Sequence, residues 1–163
     1  MKHHCYKAFS LAFALFCAPL LFSAAASASD RASESRHLKQ KLSLLGFNQS
    51  WTPTDSGEKQ VIDSGEIVLA NERYFAKLSL DWMNETTLQA TLMNSIALCS
   101  KLGIAVTDQR SAFTFEAFGS LTKKALSQPD ARATSSISPY EYHVVIFIDS
   151  ETHTSLECGV KRL

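Results

Sequence analysis

The chain has 163 residues, with 16 basic and 16 acidic side chains and 45% hydrophobic residues. This charge balance gives no reason for attraction to nucleic acid or to an anionic membrane surface, so we expect no partner of either kind. The length is that of one domain whose core is large enough to fold without a metal ion.

The first residues are typical of a bacterial export signal. Basic Lys2 and Lys7 precede an uncharged, mainly apolar stretch over 8–26. The small residues Ala26-Ser27-Ala28 then fit the pattern that a signal peptidase cleaves. We therefore predict that residues 1–28 are a cleaved signal peptide.

The alternative is a retained transmembrane anchor, because an apolar stretch of about 20 residues is nearly long enough to span a bilayer. Pro19 within the stretch and its Ala/Ser-rich end favour cleavage. The mature chain, 29–163, then keeps 14 basic and 16 acidic residues, because Lys2 and Lys7 leave with the signal. We expect it to have no stable membrane anchor and to reside in the periplasm or outside the cell.

Cleavage also decides which cysteines remain. Cys5 and Cys17 leave with the signal, so only Cys99 and Cys158 are left. Two cysteines in an oxidising compartment predict one disulfide bond between them. The alternatives are a catalytic thiol or two buried free thiols.

The mature chain opens with a polar segment and a short predicted helix. Leucines three to four residues apart indicate an amphipathic helix that begins at Ser33 or Ser35 and ends at Gly46. Residues 48–64 are rich in Ser, Thr, Pro, Gly and Asp and predict an irregular connection. Trp51 within it is either an exposed binding residue or a tryptophan at the edge of the core, and general burial trends favour the second.

A hairpin and a long helix follow. The apolar run 66–69 and the alternating pattern over 76–82 predict two strands joined by a turn at 70–73. Asn84 then stands before apolar residues spaced by three and four, which predicts a helix that ends at Gly103. Cys99 belongs to its apolar stripe, which is where a bridge to a core strand requires it.

The next segments are shorter. We predict a strand at 104–106, a second strand at 112–118 from the alternation of its phenylalanines, and a brief helix that begins at Ser120. Residues 127–139 show no periodicity and predict a loop.

The last segments carry the strongest strand pattern. Residues 140–148 are apolar on both faces near their end, as in a central strand, and 149–152 offer a turn to a partner strand over 153–160. The complete order predicts an α+β fold. We expect a mainly antiparallel sheet of about five strands packed against one long helix, with short helices near the N-terminus and in the C-terminal half.

Few residues point to chemistry. Glu141, His143, Asp149 and His153 are candidates to converge near one end of the sheet, where they would form a proton-transfer or metal site. The alternative, which we favour, is a set of cross-strand surface pairs beside a turn. No histidine or cysteine pair has the spacing of a metal site, so we predict no catalytic, cofactor-binding or metal-binding residues.

The leading hypothesis is therefore a small exported module, not an enzyme, that binds another protein. An inhibitor or immunity-type protein of an envelope-acting enzyme is one example. A first alternative is a small envelope hydrolase or toxin that uses His143 and His153. A second alternative is a structural component of a surface apparatus.

Overall fold

The computed structural model of the chain describes residues 20–71, 73–80, 84–150 and 153–163. The chain divides into two compact units, 1–37 and 38–163. Residues 1–19 of the predicted signal peptide lie outside the described residues. The remainder belongs to helix α1 (Leu20–Leu44), which begins in the first unit and ends in the second.

The described part of the second unit contains a seven-stranded antiparallel sheet and two further helices. In chain order these elements are β1 (Trp51–Thr54), β2 (Gly57–Ile62), β3 (Gly65–Ala70), β4 (Arg73–Leu80), α2 (Glu85–Thr107), α3 (Ser111–Leu126), β5 (Arg132–Ile137), β6 (Tyr140–Ser150) and β7 (His153–Arg162). The strand order is β1-β2-β3-β4-β7-β6-β5. The predicted α+β class with an antiparallel sheet is confirmed, with seven strands where about five were expected.

The predicted irregular connection over 48–64 is wrong, because most of these residues form the hairpin of β1 and β2. Asp55 and Ser56 make its turn, and Trp51 lies opposite Gln60. Threonine and tryptophan favour extended backbone, and an edge strand tolerates proline. Trp51 is half-buried against the core, as expected of a tryptophan at the core edge.

Helix α1 ends as predicted but begins earlier. Gly46 has a φ of 98°, and the backbone N–H of Phe47 donates to the carbonyl oxygen of Leu42 at 3.0 Å, which closes the last turn. The predicted starts at Ser33 and Ser35 are wrong, since both lie inside α1. The alanine-rich sequence before them favours helix, so the helix continues toward the N-terminus.

Helix α2 begins as predicted but ends later. The Asn84 side chain accepts a hydrogen bond from the backbone N–H three residues on, at 2.9 Å, and so caps the helix. The predicted end at Gly103 and the predicted strand at 104–106 are wrong, because α2 continues to a cap at Asp108. Gly103 instead allows α3 to approach, since a Cβ there would lie 3.0 Å from the Phe118 ring.

The predicted strand over 112–118 and the predicted helix start at Ser120 are also wrong, because both lie within α3. Thr114 and Phe118, four residues apart, are the buried positions of this segment. The Thr114 hydroxyl is 2.7 Å from that of Ser100, so a buried polar pair takes the place of an apolar contact. A polar threonine therefore occupies a buried position of the helix. Because a phenylalanine stands on either side of it, the sequence alternates between apolar and polar residues as a strand does.

The predicted loop over 127–139 is wrong in its second half, where Arg132–Ile137 forms β5 against β6. Ala133 is buried, and the other five residues of β5 are exposed. A strand at the edge of a sheet with so little buried surface shows no apolar alternation, and alternation is the signal by which strands are predicted.

Both predicted hairpins are confirmed. The pair 66–69 and 76–82 corresponds to β3 and β4, although Trp82 lies outside the described residues, and the pair 140–148 and 153–160 corresponds to β6 and β7. Five consecutive residues of β6 are buried, from Tyr142 to Ile146, and they include the apolar run Val144, Val145 and Ile146 that the sequence predicts. Ile148 is 71% exposed, so the double-sided burial ends before it.

Both α2 and α3 pack on the sheet, where one long helix was expected, and the predicted disulfide joins α2 to it. Cys99 in α2 is bonded to Cys158 in β7, with their Cα atoms 5.9 Å apart. By length and composition α2 is apolar enough to cross a membrane. Its buried stripe packs on the sheet and its cysteine is bonded there, so α2 is the core helix of this unit.

Tyr142 connects α3 to the sheet. Its ring meets those of Phe113 and Phe118 edge-on, with centroids 6.3 and 5.6 Å apart. Its hydroxyl donates to the Thr107 hydroxyl at 3.2 Å, and burial raises the pKa of Tyr142. The tyrosine therefore stays neutral, and its contacts stabilise the core.

Candidate functional site

The candidate site lies on the face of the sheet that is turned away from α2 and α3, which we call the open face. Side chains alternate between the two faces along a strand, and Cys158 marks the helix face because it is bonded to α2. Its neighbours in β7 therefore belong to the open face, as do the residues opposite them in β4 and β6. The central residues of the open face are Arg73, Phe75, Lys77, His143, Val145, Phe147, Ser155, Glu157 and Gly159.

Gly159 leaves a gap in the middle of this surface, and two larger side chains fill it. The strand register puts Phe75 and His143 on either side of Gly159. A Cβ on Gly159 would lie 2.6 Å from Cε1 of His143 and 2.7 Å from Cβ of Phe75, and it would overlap the backbone oxygen of Tyr74. The absence of a side chain thus allows β4 and β6 to bring residues together across β7.

A carboxylate, a guanidinium and an imidazole meet beside this gap. Oε1 of Glu157 accepts a hydrogen bond from Nη2 of Arg73 at 2.6 Å, and Nε2 of His143 lies 3.5 Å from the same oxygen. The Glu157 side chain is only 12% exposed, so it needs the arginine as a partner. Nε2 of His143 is buried without a well-oriented hydrogen bond, so its approach to Glu157 is a polar contact at the limit of bonding distance.

These neighbours alter the acidity of Glu157. The pKa of its carboxyl group lies below the ordinary value, first because of the adjoining His143 and then because of Arg73, which together outweigh the opposing effect of burial. A group whose pKa is lower in the folded chain contributes stability above its unfolded pKa and loses it as the pH falls through the folded pKa. The stability that Glu157 contributes to the folded chain therefore decreases as the pH falls.

We expect Glu157→Gln to change the acid side of the stability profile. The wild type should keep its full contribution from Glu157 above about pH 5 and lose it progressively below the ordinary glutamate pKa of about 4.3. The variant should be less stable at neutral pH and should decline less steeply with acid. Urea unfolding at a series of pH values measures both effects.

Glu66→Gln is the matched control, because Glu66 is paired with Lys59 at 3.1 Å in the same sheet but its side chain is 34% exposed. Exposed ion pairs contribute little to stability. We expect this control to follow the wild-type profile closely. If Glu157→Gln follows it too, Glu157 has no stabilising partners on the open face.

Two cations of the open face lie over aromatic rings. The guanidinium carbon of Arg73 is 5.0 Å from the centre of the Phe75 ring, and Nζ of Lys77 is 5.5 Å from that of Phe147. Both distances are within the range of cation–π attraction. The long basic side chains are therefore held against the sheet, where they help to cover its buried centre.

The hypothesis that Glu141, His143, Asp149 and His153 converge at one end of the sheet is wrong. Glu141 and His143 lie near the end of β6 that pairs with the last residues of β7, where His143 faces Gly159. His153 lies opposite Ser150 at the other end of the same strand pair, where Asp149 also lies, and His153 is exposed. The two histidines are thus about seven residues apart along the sheet, roughly 20 Å at a strand's rise.

His143 does not present its Nε2 atom on the surface of the open face. A general acid or base must come within hydrogen-bonding distance of its substrate, and Nε2 of His143 is covered. Among the described residues, no three His, Cys, Asp or Glu side chains are placed to share a metal ion.

The residues that accompany His143 were missed by sequence reasoning. Arg73 and Glu157 are 84 residues apart in sequence, and they meet only because β4 and β7 are neighbours. Local periodicity can show that both lie on polar strand faces, but it does not show which strands pair. Comparison of the chain with protein-family models, with curated proteins and with solved structures gives no match.

Proposed function

We propose that the mature chain is a small exported module that binds another protein, is not an enzyme, and uses its open face as the binding surface. An inhibitor or immunity-type protein of an envelope-acting enzyme would have these properties. The observation that carries the proposal is the pair of cation–aromatic contacts, Arg73 with Phe75 and Lys77 with Phe147.

Aromatic residues and arginine dominate the energetics of protein interfaces, and they act best where their side chains are already ordered. Arg73 is ordered twice, by the Phe75 ring and by its hydrogen bond to Glu157. Phe75 and Phe147 lie two strands apart and about four residues apart along the strands, which separates them by roughly 15 Å. Two aromatic residues at this separation both fit within one side of an ordinary protein interface, which buries about 800 Å².

The charges of the open face suit a protein better than a polyanion. The cations Lys77 and Lys161 lie directly opposite the acids Glu157 and Glu141 across neighbouring strands. A nucleic acid or an anionic membrane would meet these acids as well as the bases. A folded protein can complement both signs, and an open sheet face suits its breadth, whereas small ligands are usually enclosed in clefts.

The disulfide supports the proposed compartment. Disulfides such as Cys99–Cys158 persist in oxidising environments and are rare in the cytosol of ordinary cells. Together with the signal-like residues 1–28, it supports a place in the periplasm or outside the cell.

The test is affinity capture from periplasm and culture medium with the chain 29–163 as bait, in three forms. Wild type is compared with the double variant Phe75→Ser/Phe147→Ser and with the control Phe115→Ser, a phenylalanine of α3 that is 36% exposed away from the open face. We expect a partner that wild type and control retain and that the double variant binds about 100-fold more weakly or loses, as truncated hot spots do.

Each bait is first shown to be oxidised and to unfold cooperatively, so that loss of binding is not loss of fold. A partner that the double variant retains at wild-type affinity would exclude the open face as the binding surface. A partner that the control loses to the same extent would exclude it as well.

A further inference from the structure

The two edges of the sheet are not equivalent. The edge strands are β1 and β5. Thr54 and Gly57 close the two-residue turn of the first hairpin, so their backbone groups bond to each other. Hydrogen bonding alternates along a strand, so Thr52 also bonds to β2. The N–H and C=O groups of the alternate residues, where they exist, point away from β2 at Trp51 and Pro53. Proline has no N–H to offer, and a proline on an edge strand is a common means of blocking further strand pairing. The β1 edge is therefore blocked.

The β5 edge has no such block. The N–H of Ile146 donates to the carbonyl oxygen of Ala131 at 2.9 Å, which fixes the alternation between β6 and the residues of β5. Every second residue from Ala131 bonds to β6, so the N–H and C=O groups of Arg132, Thr134 and Ser136 point outward. Their side chains are exposed. The β5 edge thus offers three donors and three acceptors in a row.

We propose that a second copy of this chain pairs with this edge, β5 to β5 and antiparallel, about a twofold axis at Thr134. In that register Thr134 faces its own counterpart, and Arg132 of each copy faces Ser136 of the other. The six outward N–H groups of the two strands then meet the six outward carbonyls. Threonine pairs are favourable across strands, and no like charges lie opposite each other.

Charge complementarity favours this partner. Ser136 lies opposite Glu141 within one copy, so Arg132 of the second copy would be two strands from Glu141, with Cα atoms roughly 10 Å apart on the same face. The intervening serine is small, and an arginine and a glutamate can reach each other across it. Within one copy Arg132 lies opposite Val145, and it forms no ion pair with the described residues.

Self-pairing would also cover an apolar side chain. Ile137 is 37% exposed at the end of β5, on the face that α3 covers. The twofold register places it opposite Ala131 of the second copy, on the same face as Ala133. The strand of another protein would have to supply these matches by chance. A second copy supplies the Thr134 pair once, on the axis, and each of the other matches twice.

The first test is the mass of the chain 29–163 by sedimentation equilibrium, from low micromolar to about 1 mM, the range of weak interfaces. We expect a monomer–dimer equilibrium in the wild type. Thr134→Pro removes one outward donor at a position where an edge strand tolerates proline, and it should leave a monomer with the wild-type circular dichroism spectrum. Thr134→Val keeps the N–H and should dimerise as the wild type does.

The second test exchanges charges. Arg132→Glu should raise the dissociation constant about tenfold or more, because it places a second carboxylate near Glu141 of the other copy. Adding Glu141→Arg to the same chain should restore dimerisation. The two positions are four residues apart along neighbouring strands of one copy, too far to interact there, so only contact between copies explains the rescue.

A wild-type chain that stays monomeric up to 1 mM overturns the proposal. This holds also if its β5 edge is then found to bind a strand of another protein. A dimer that persists in Thr134→Pro, or a charge exchange without rescue, overturns it too. The inference does not depend on the proposed function, because Phe75 and Phe147 are not part of the β5 edge.

Discussion

Replacing both bridging cysteines, Cys99→Ala with Cys158→Ala, is expected to lower the free energy of unfolding by about 4 kcal/mol or more. The bond closes a loop of 59 residues, and opening such a loop returns a large conformational entropy to the unfolded chain. Both cysteines are almost completely buried, so the alanines also leave unfilled space. The loss is a large fraction of the roughly 5 to 15 kcal/mol typical of a domain.

Urea unfolding of the oxidised wild type and the double variant measures this difference. The reduced wild type is the internal control, because it keeps both sulfur atoms but loses the constraint, and it should be destabilised by most of the same amount. A double variant within about 1 kcal/mol of the oxidised wild type would show that the bridge does not constrain the unfolded chain.

Gly159→Ala is expected to be the most damaging single substitution on the open face, at about 3 kcal/mol. The new Cβ would lie too close to the His143 ring and Cβ of Phe75, and it would overlap the backbone oxygen of Tyr74. Two of these obstacles belong to β4 and one to β6, so relief requires the strands on both sides to move. Side-chain rotation alone cannot accommodate the methyl group.

Gly119→Ala is the matched control, since Gly119 lies inside α3 and an alanine Cβ there would meet no atom within 4 Å beyond its chain neighbours and the nearby backbone of its own helix. Alanine is the better helix former, so we expect this control to gain up to about 1 kcal/mol. Chemical unfolding of both variants gives the comparison. A Gly159→Ala chain as stable as wild type would mean that β4 and β6 do not pack closely against Gly159.

Most features that the sequence predicted correctly have a local signal. Asn84 is followed by a regular apolar stripe, and the two hairpins show alternation on both sides of a turn. The disulfide was predicted on a different ground, because the expected cleavage after Ala28 would leave only Cys99 and Cys158 to pair.

The features that it missed depend on contacts distant in sequence. β5 is exposed along nearly its whole length, so it is a strand only because β6 lies beside it. Thr114 takes an apolar position in α3 because Ser100 of α2 offers a hydroxyl partner. Propensity and periodicity describe a segment alone, and tertiary contacts overrode both here.

The candidate site shows the same division. His143 was one of four candidate residues in a hypothesis that the sequence did not favour, and it lies on the open face with Glu157 and Arg73 and not with His153. The β4–β7 pairing that makes this site joins strands separated by two helices and two other strands. The role of Gly159 likewise appears only when both neighbouring strands are in place.

Every part of the proposed function depends on export of the chain and on oxidation of its two remaining cysteines. The most direct test of both is the intact mass of the protein, isolated from its own cells under non-reducing conditions. The account predicts a chain that begins at Ser29 and is two hydrogens lighter than its reduced form, with no thiol free to alkylate. A chain that retains residues 1–28 and has free thiols at Cys99 and Cys158 would contradict it.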